Sequence, residues 1–157
     1  MEREHRYEAT VTWTGNRGEG TAGYKAYGRD HTIACPGKPA IRGSADTVFR
    51  GDADRHNPED LLVAALSACH MLWYLHLCSI AGVVVTAYED TASGVMETGP
   101  PDGAGQFSRV TLAPRVTIAA GSCAETAARL HETAGANCFV ARSVNFPVEH
   151  RPEIVQA

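Results

Sequence analysis

The sequence has little positive charge. It contains 14 lysine and arginine residues against 18 acidic ones, which gives a formal net charge of −4. The basic residues are scattered along the chain, whereas a surface that binds nucleic acid needs a concentrated positive patch. Charged residues make up 20% of the chain and apolar ones 44%, values that are typical of globular proteins. The composition favours a folded domain whose main ligand is not nucleic acid.

Long apolar runs are also missing. No uninterrupted apolar stretch reaches the roughly 18–20 residues that a membrane span requires. The first six residues, MEREHR, lack the apolar stretch of a signal peptide. We therefore expect a cytoplasmic protein with no membrane partner, and a length of 157 residues predicts a single domain over 1–157.

The cysteines lack the spacings of common zinc sites. There are five, with no CxxC or CxxH pair, and an odd number in a cytosolic chain argues against a static disulfide framework. They are therefore core residues, redox-active thiols or metal ligands. The five cysteines are Cys35, Cys69, Cys78, Cys123 and Cys138.

Period-two alternation of apolar and polar residues predicts strands in the first 50 residues. The clearest one covers 7–13, before a glycine-rich turn at 15–20. Weaker strand candidates lie at 23–35 and 47–50. This region should form the N-terminal part of a sheet.

A long helix is predicted over 57–81. Asn57 is a good cap, Pro58 suits the first helical position, and two acidic residues follow in the first turn. Gly82 should end the helix. Apolar and small residues occupy nearly all of its sides, so we expect a central helix that is buried all round, which in a chain of this length requires a partner subunit.

The second half of the chain alternates strands with a shorter helix. A hairpin is predicted over 83–119, with its turn at 99–103. A second helix should cover 122–134, and residues 138–150 should form a helical turn, capped by Asn137, and a last strand. This order predicts an α+β fold with a mainly antiparallel sheet, a long buried central helix and a second helix, assembled as an obligate homodimer.

Cys69 is the candidate nucleophile, although the helix alone leaves its role open. A free cysteine in an apolar helix is more often a small buried residue. Nucleophilic chemistry would need a thiolate, favoured by a nearby arginine that a carboxylate holds in place. His70 cannot face the same way, because adjacent helical residues point about 100° apart. A metal set of Cys69, His70, His76 and Cys78 would place its ligands around the helix, so we expect no metal.

Glu59 lies ten residues before Cys69, which is about 15 Å along a helix. A carboxylate so distant cannot support the thiol directly. If Glu59 works at a cysteine site, either an arginine spans the gap or the carboxylate comes from the helix of a second subunit. The alternative is an acid favoured only by the helix dipole.

Three segments together resemble the OsmC/Ohr family of osmotically induced and organic hydroperoxide resistance proteins. Residues 56–69, HNPEDLLVAALSAC, look like the family's Asn-Pro-Glu opening with a cysteine ten residues after the glutamate. Residues 136–144, ANCFVARSV, are similar to its late Cys-Pro-Val-Ser segment, with Phe139 in place of the proline. Residues 13–21, WTGNRGEGT, look like its early arginine-bearing turn. His70 stands where the family usually has an aromatic residue.

The resemblance implies a role for each matching residue. Cys69 would be the peroxidatic cysteine and Cys138 the resolving one, while Arg17 would hold the Cys69 thiolate and Glu59 would orient Arg17. It also implies an intertwined homodimer of the OsmC-like type. By the distance argument, Arg17 and Glu59 should then act on Cys69 of the partner subunit.

The implied function is a thiol-dependent peroxidase in oxidative stress defence. Organic hydroperoxides would be reduced through a Cys69 sulfenic acid and a Cys69–Cys138 disulfide, with an external dithiol such as a lipoyl group as reductant and no cofactor. An apolar pocket near Leu66, Trp73 and Phe139 would favour alkyl hydroperoxides. The alternatives are a cysteine hydrolase that uses Cys69 with a histidine base, and a non-catalytic dimer that holds an apolar ligand.

Overall fold

The computed structural model describes residues 4–99 and 105–157. In this part of the chain the predicted fold class is confirmed, because short sheets combine with a long helix and a shorter one in an α+β arrangement. The chain divides into two compact units, Met1–Leu61 and Leu62–Ala157.

The first unit contains an antiparallel sheet of three short strands in the order β1-β2-β3. The predicted strand at 7–13 is shorter than expected, and only the end of the candidate at 23–35 is extended. The third strand was not predicted. The strands are β1 Thr10–Trp13, β2 His31–Ala34 and β3 Ile41–Gly43.

The strand predicted at 47–50 is wrong. Thr47–Phe49 form a 3-10 helix, and the carboxylate of Asp46 accepts a hydrogen bond from the Val48 N–H at 2.8 Å. A capping aspartate offers the backbone this local partner, which favours a helical turn over a strand.

The central helix, α1, covers Pro58–Ala81 as predicted. Asn57 caps it, since the Asp60 N–H donates to its side-chain oxygen at 2.7 Å. At the other end Gly82 adopts a φ of 71°, and the Val83 N–H donates to the Cys78 carbonyl at 2.9 Å. This is the glycine-terminated pattern that closes many helices.

Burial of α1 within one chain is confined to a single stripe. Leu66, His70, Tyr74 and Cys78, each four residues after the last, are buried. Other apolar side chains are exposed, Leu72 by 63%. A single chain therefore does not bury the helix on all sides. The expected burial on all sides would require a partner subunit.

The length and composition of α1 would also suffice for crossing a membrane, a property that core helices of soluble proteins share. The sequence has no uninterrupted apolar stretch of that length, but the few polar residues of α1 leave the mean hydropathy of the helix high.

The second unit contains two three-stranded sheets, in the orders β4-β7-β9 and β5-β6-β8. The β4–β7 and β5–β6 pairs are antiparallel, whereas β8 and β9 pair in parallel with β6 and β7. The strands are β4 Val85–Asp90, β5 Ser93–Thr98, β6 Gly105–Leu112, β7 Pro114–Ile118, β8 Val148–His150 and β9 Glu153–Gln156.

The hairpin predicted over 83–119 has the expected antiparallel pairing, but it is interrupted. The Asp90 carboxylate accepts the Ala113 N–H at 2.7 Å, so both arms break at about the same level. The arms are therefore split between two sheets. Most of the turn predicted at 99–103 lies outside the described residues.

The second helix, α2, covers Ala124–Asn137 rather than 122–134. Gly135 does not end it but remains helical, and its missing side chain leaves room for the ring of His150. The Asn137 side chain donates to the Thr133 carbonyl within the same helix, so Asn137 does not cap a new turn. A short 3-10 helix follows at Ala141–Ser143.

Candidate functional site

Cys69 and Cys138 are neighbours in the second unit. Cys69 is half-buried on α1, and Cys138, which directly follows α2, is 1% exposed. The Cys138 thiol lies close enough to Cys69 for the two side chains to interact. The fold thus brings together two free thiols that are far apart in the sequence.

The environment of Cys138 favours its neutral form. Burial raises the pKa of Cys138 to about 11, the interaction with the Cys69 side chain acts in the same direction, and hydrogen bonds from the Ala141 and Val140 N–H groups oppose both. The Ala141 nitrogen lies 3.5 Å from the sulfur. At neutral pH Cys138 is therefore a thiol and can donate a proton to a group on Cys69.

Aromatic side chains lie beside this pair in the sequence and contact each other. Trp73, one turn after Cys69, meets Phe139 edge to face with ring centroids 5.4 Å apart. Phe139 is 68% exposed, so it can contribute an open apolar surface. Leu66 was expected in the same pocket, but it is fully buried in a core cluster with Val110 and Leu112.

His70 faces away from its neighbour Cys69. Its ring is buried, and its Nε2 lies 2.9 Å from His131 Nδ1. His76 is exposed and meets the edge of Trp73. A hydrolase would need a histidine base at the Cys69 sulfur, and His70 cannot serve while it makes this buried contact.

Glu59 lines a pocket of the first unit with a volume of about 390 Å³. The walls are mostly aromatic and apolar, and the pocket has an arginine besides the glutamate. The lining side chains include Trp13, Tyr27, Arg29, Asp46, Phe49 and Glu59.

Arg29 is a candidate site residue that the sequence analysis missed. Its guanidinium lies over the rings of Tyr24 and Tyr27, at 4.5 and 4.1 Å from their centroids, and Nη1 donates to the Tyr27 carbonyl at 2.7 Å. Such cation–π contacts hold an arginine in place without neutralising it. Nη2 is buried and has no hydrogen-bond partner among the described residues. The two tyrosines preceding Arg29 were the available signal, but only the folded loop brings them together.

Arg17 and Glu59 line different pockets of the first unit. Arg17 is exposed in the turn at 15–20, which Asn16 shapes by accepting the Gly18 and Gly20 N–H groups. Arg17 lines a different pocket, of about 310 Å³, which Arg29 also lines. Of these two arginines, it is therefore Arg29 that shares a pocket with Glu59.

The described residues contain no group of three or more histidine, cysteine, aspartate or glutamate side chains arranged to hold a metal ion. His70 and Cys78 lie on the buried stripe of α1, whereas His76 is exposed. The set Cys69, His70, His76 and Cys78 therefore does not converge on one point.

Comparisons with known proteins give one consistent family. A sequence model described as OsmC-like protein matches residues 51–153. An OsmC-like protein of unknown function from Vibrio cholerae is 30% identical, with a TM-score of 0.85 over 97% of this chain and 100% of that one. A search of curated proteins gives no significant match.

More distant solved structures share the fold. An organic hydroperoxide resistance protein from Elizabethkingia anophelis is 19% identical, with a TM-score of 0.71 over 100% of both chains. The organic hydroperoxide resistance protein OhrB of Bacillus subtilis is 18% identical, with a TM-score of 0.64 over 96% of this chain and 98% of that one. Because the family match covers most of the chain, this protein belongs to the OsmC-like family.

Proposed function

We propose that this protein is a thiol-dependent peroxidase that reduces organic hydroperoxides in oxidative stress defence. The observation that carries the proposal is the contact between the Cys69 and Cys138 thiols in a chain of the OsmC-like family. Relatives of the same fold that are named organic hydroperoxide resistance proteins support the substrate class.

In the first step the Cys69 thiolate attacks the outer oxygen of the hydroperoxide. A sulfur–oxygen bond forms, the oxygen–oxygen bond breaks, and the alkoxide takes up a proton and leaves as an alcohol. Cys69 is oxidised to a sulfenic acid. The apolar surface of Trp73 and Phe139 would bind the alkyl part of the substrate.

In the second step the neutral Cys138 thiol condenses with the sulfenic acid. A disulfide forms, the sulfur–oxygen bond breaks, and the hydroxyl leaves as water with the Cys138 proton. An external dithiol, such as a lipoyl group, then reduces the disulfide by exchange and is itself oxidised. These steps need no metal or organic cofactor.

A guanidinium would favour the thiolate form of Cys69, with Glu59 holding it in place. The family resemblance assigns this role to Arg17, and the shared pocket favours Arg29. About 15 Å of helix separates Glu59 from Cys69 of the same chain, so the Glu59 pocket would serve Cys69 of the partner subunit.

A homodimer fits this arrangement, and proteins of the family are usually dimeric. Leu72 and Ile80 of α1 are 63% and 71% exposed in one chain, and a second subunit would cover them. OsmC/Ohr-like proteins are soluble. We place this one in the cytoplasm, where thiols remain reduced between turnovers.

The test is a steady-state comparison of cumene hydroperoxide with hydrogen peroxide, using several dithiols as reductants. We expect faster turnover of the organic substrate. Cys69→Ser should be inactive, and Cys138→Ser should lose dithiol-driven turnover. Cys123→Ser, which alters an exposed cysteine, is the matched control and should keep wild-type activity.

Mass analysis after one equivalent of hydroperoxide, together with an assay on an acyl substrate, distinguishes the peroxidase from the two alternative functions. The proposal predicts the loss of two hydrogen atoms in the wild type and one added oxygen atom in Cys138→Ser. An unchanged mass would favour a non-catalytic dimer that binds apolar ligands. Turnover of an acyl substrate by Cys138→Ser would instead indicate a hydrolase, for which the comparisons give no support.

A further inference from the structure

Two buried histidines and a third, partly buried one form a cluster in the second unit. His70 comes from α1, His131 from α2 and His150 from the end of β8, so one cluster joins three elements. His70 and His131 are each 1% exposed. The proposed peroxidase steps use none of these side chains.

His150 stacks on His70, and the nearly parallel rings of His70 and His131 are linked by a hydrogen bond. His70 lies 4.4 Å from His150 and 5.3 Å from His131 between ring centroids, with interplanar angles of 24° and 11°. His70 Nε2 and His131 Nδ1 are 2.9 Å apart. A neutral imidazole has one donor and one acceptor nitrogen, so one ring donates to the other. Tyr74 extends the stack at 3.8 Å from His131.

The histidine cluster buries polar groups at a cost to the stability of the fold. Burial lowers the pKa of His70 to about 4 and that of His131 to about 3, so both are neutral at physiological pH. His70 Nδ1, His131 Nε2 and His150 Nε2 are buried with no partner among the described residues. An apolar residue would avoid that penalty. Unlike apolar packing, however, a hydrogen bond is directional and therefore specifies one register between two helices.

Both proposed redox cysteines are attached to the elements that the stack joins. Cys69 is the residue before His70. Cys138 follows the last turn of α2, seven residues and about two turns after His131. His150 lies against that last turn, because a Cβ added at Gly135 would be only 2.5 Å from His150 Cε1.

We propose that His70 and His131 are positioning residues, whose hydrogen bond fixes the register of α1 against α2 and so holds the Cys138 thiol against Cys69 for disulfide formation. This inference rests on the proposed peroxidase function for its biological setting. The step that it affects is the condensation of the Cys69 sulfenic acid with the Cys138 thiol, which forms the disulfide and releases water. Attack of Cys69 on the hydroperoxide does not depend on Cys138 and should be spared.

The variants separate the hydrogen bond from the packing. His70→Phe keeps a ring to stack on His150 but removes the link to His131. His70→Gln retains a polar group near the position of Nε2 and is the conservative rescue. Tyr74→Phe is the matched control, because it removes another buried link between the same helices, the Tyr74 Oη–Ala127 carbonyl hydrogen bond of 3.1 Å, whose two residues are farther along the helices from Cys69 and Cys138 than His70 and His131 are.

The two chemical steps are measured separately by stopped flow, with dimedone added to trap sulfenic acid. In His70→Phe we expect hydroperoxide consumption within about threefold of wild type. Disulfide formation should be at least tenfold slower, with a matching rise in the dimedone adduct. His70→Gln should recover most of the rate, and Tyr74→Phe should form the disulfide at the wild-type rate.

A second readout needs no peroxidase activity. The disulfide is equilibrated with reduced and oxidised dithiothreitol, and its reduction potential is measured. If the equilibrium constant for disulfide formation is tenfold smaller in His70→Phe, the reduction potential of the disulfide rises by about 30 mV. If the wild type does not consume hydroperoxide, the proposed function fails while this measurement still tests the inference.

A disulfide in His70→Phe that forms at the wild-type rate and with the wild-type potential would overturn the inference. An equal defect in Tyr74→Phe would overturn it too, since general loosening of the helix pair would then explain the effect. Circular dichroism of each variant establishes that it is folded before either readout is taken.

Discussion

The histidine stack predicts that the protein loses stability in mild acid. His70 and His131 have folded-state pKa values of about 4 and about 3, below the 6.5 of an exposed histidine. Between these limits the unfolded chain binds protons that the folded chain excludes. The stabilisation is therefore fully present above pH 6.5 and is lost as the pH falls through 6.5 toward 4.

The magnitude follows from the two pKa values. At pH 5 an unfolded histidine is almost fully protonated, whereas a folded one with a pKa of about 4 is almost neutral. This difference lowers the free energy of unfolding by about 2 kcal/mol per residue. His70 and His131 together should lower the free energy of unfolding by about 4 kcal/mol between pH 7 and pH 5. Burial of His150 lowers its pKa as well, while the charge of Asp90 opposes that shift, so its contribution is smaller.

The assay is urea unfolding, followed by circular dichroism at a fixed protein concentration and at half-unit intervals from pH 7 to pH 5. This window lies above the range in which ordinary carboxylates titrate. His70→Phe should reduce the acid-induced loss by about half, to about 2 kcal/mol. Tyr74→Phe should lower stability by a similar amount at every pH, because its hydroxyl does not ionise in this range and burial raises its pKa further.

A free energy of unfolding that is flat from pH 7 to pH 5 in the wild type would refute the reasoning. So would an equal acid-induced loss in His70→Phe. Either result would mean that the rings accept protons in the folded state, and the stack would then be more open to water than its burial indicates.

Three further changes test other parts of the structure. Arg29→Ala should lower kcat/KM for an organic hydroperoxide at least about tenfold, because it weakens thiolate formation. Arg42→Ala, which alters an exposed arginine, should leave kcat/KM unchanged. Equal rates for the two variants would mean that Arg29 does not belong to the site. Gly135→Ala should cost about 1–3 kcal/mol in urea unfolding, because the new methyl group overlaps His150, and an unchanged midpoint would contradict that packing. Leu112→Ala should cost about 2–5 kcal/mol, since this side chain is fully buried, and a loss under about 1 kcal/mol would be inconsistent with a core position.

The sequence predicted best what local chemistry determines. Helix α1 begins at Pro58 and ends before Gly82 as expected, because the Asn57 cap and the terminating glycine act on their own neighbours. The same local rule failed at Gly135, which lies in the helix and whose lack of a side chain makes room for His150. A glycine near a helix end is therefore ambiguous until its tertiary neighbours are known.

The candidate site was predictable in part for the same reason. The helix start and the two cysteines are carried by short motifs, and the family resemblance supplied their order. Arg29 was missed because its importance depends on a loop that folds Tyr24 and Tyr27 around it. His70 and His131 are 61 residues apart, and no periodic pattern in either helix indicates that their rings meet.

The two sides of α1 depart from the usual arrangement of a surface helix, in which apolar residues face the core and polar ones face water. The fully buried stripe contains His70 and Tyr74, while Leu72 and Ile80 are largely exposed. Directional contacts suit a surface that must keep one register, because an apolar contact alone tolerates small sliding movements. An apolar outer side suits a surface that another subunit covers. The helix that carries Cys69 would thus be fixed on one side by the His70–His131 hydrogen bond and completed on the other by dimer formation, so the geometry of the thiol pair would depend on both.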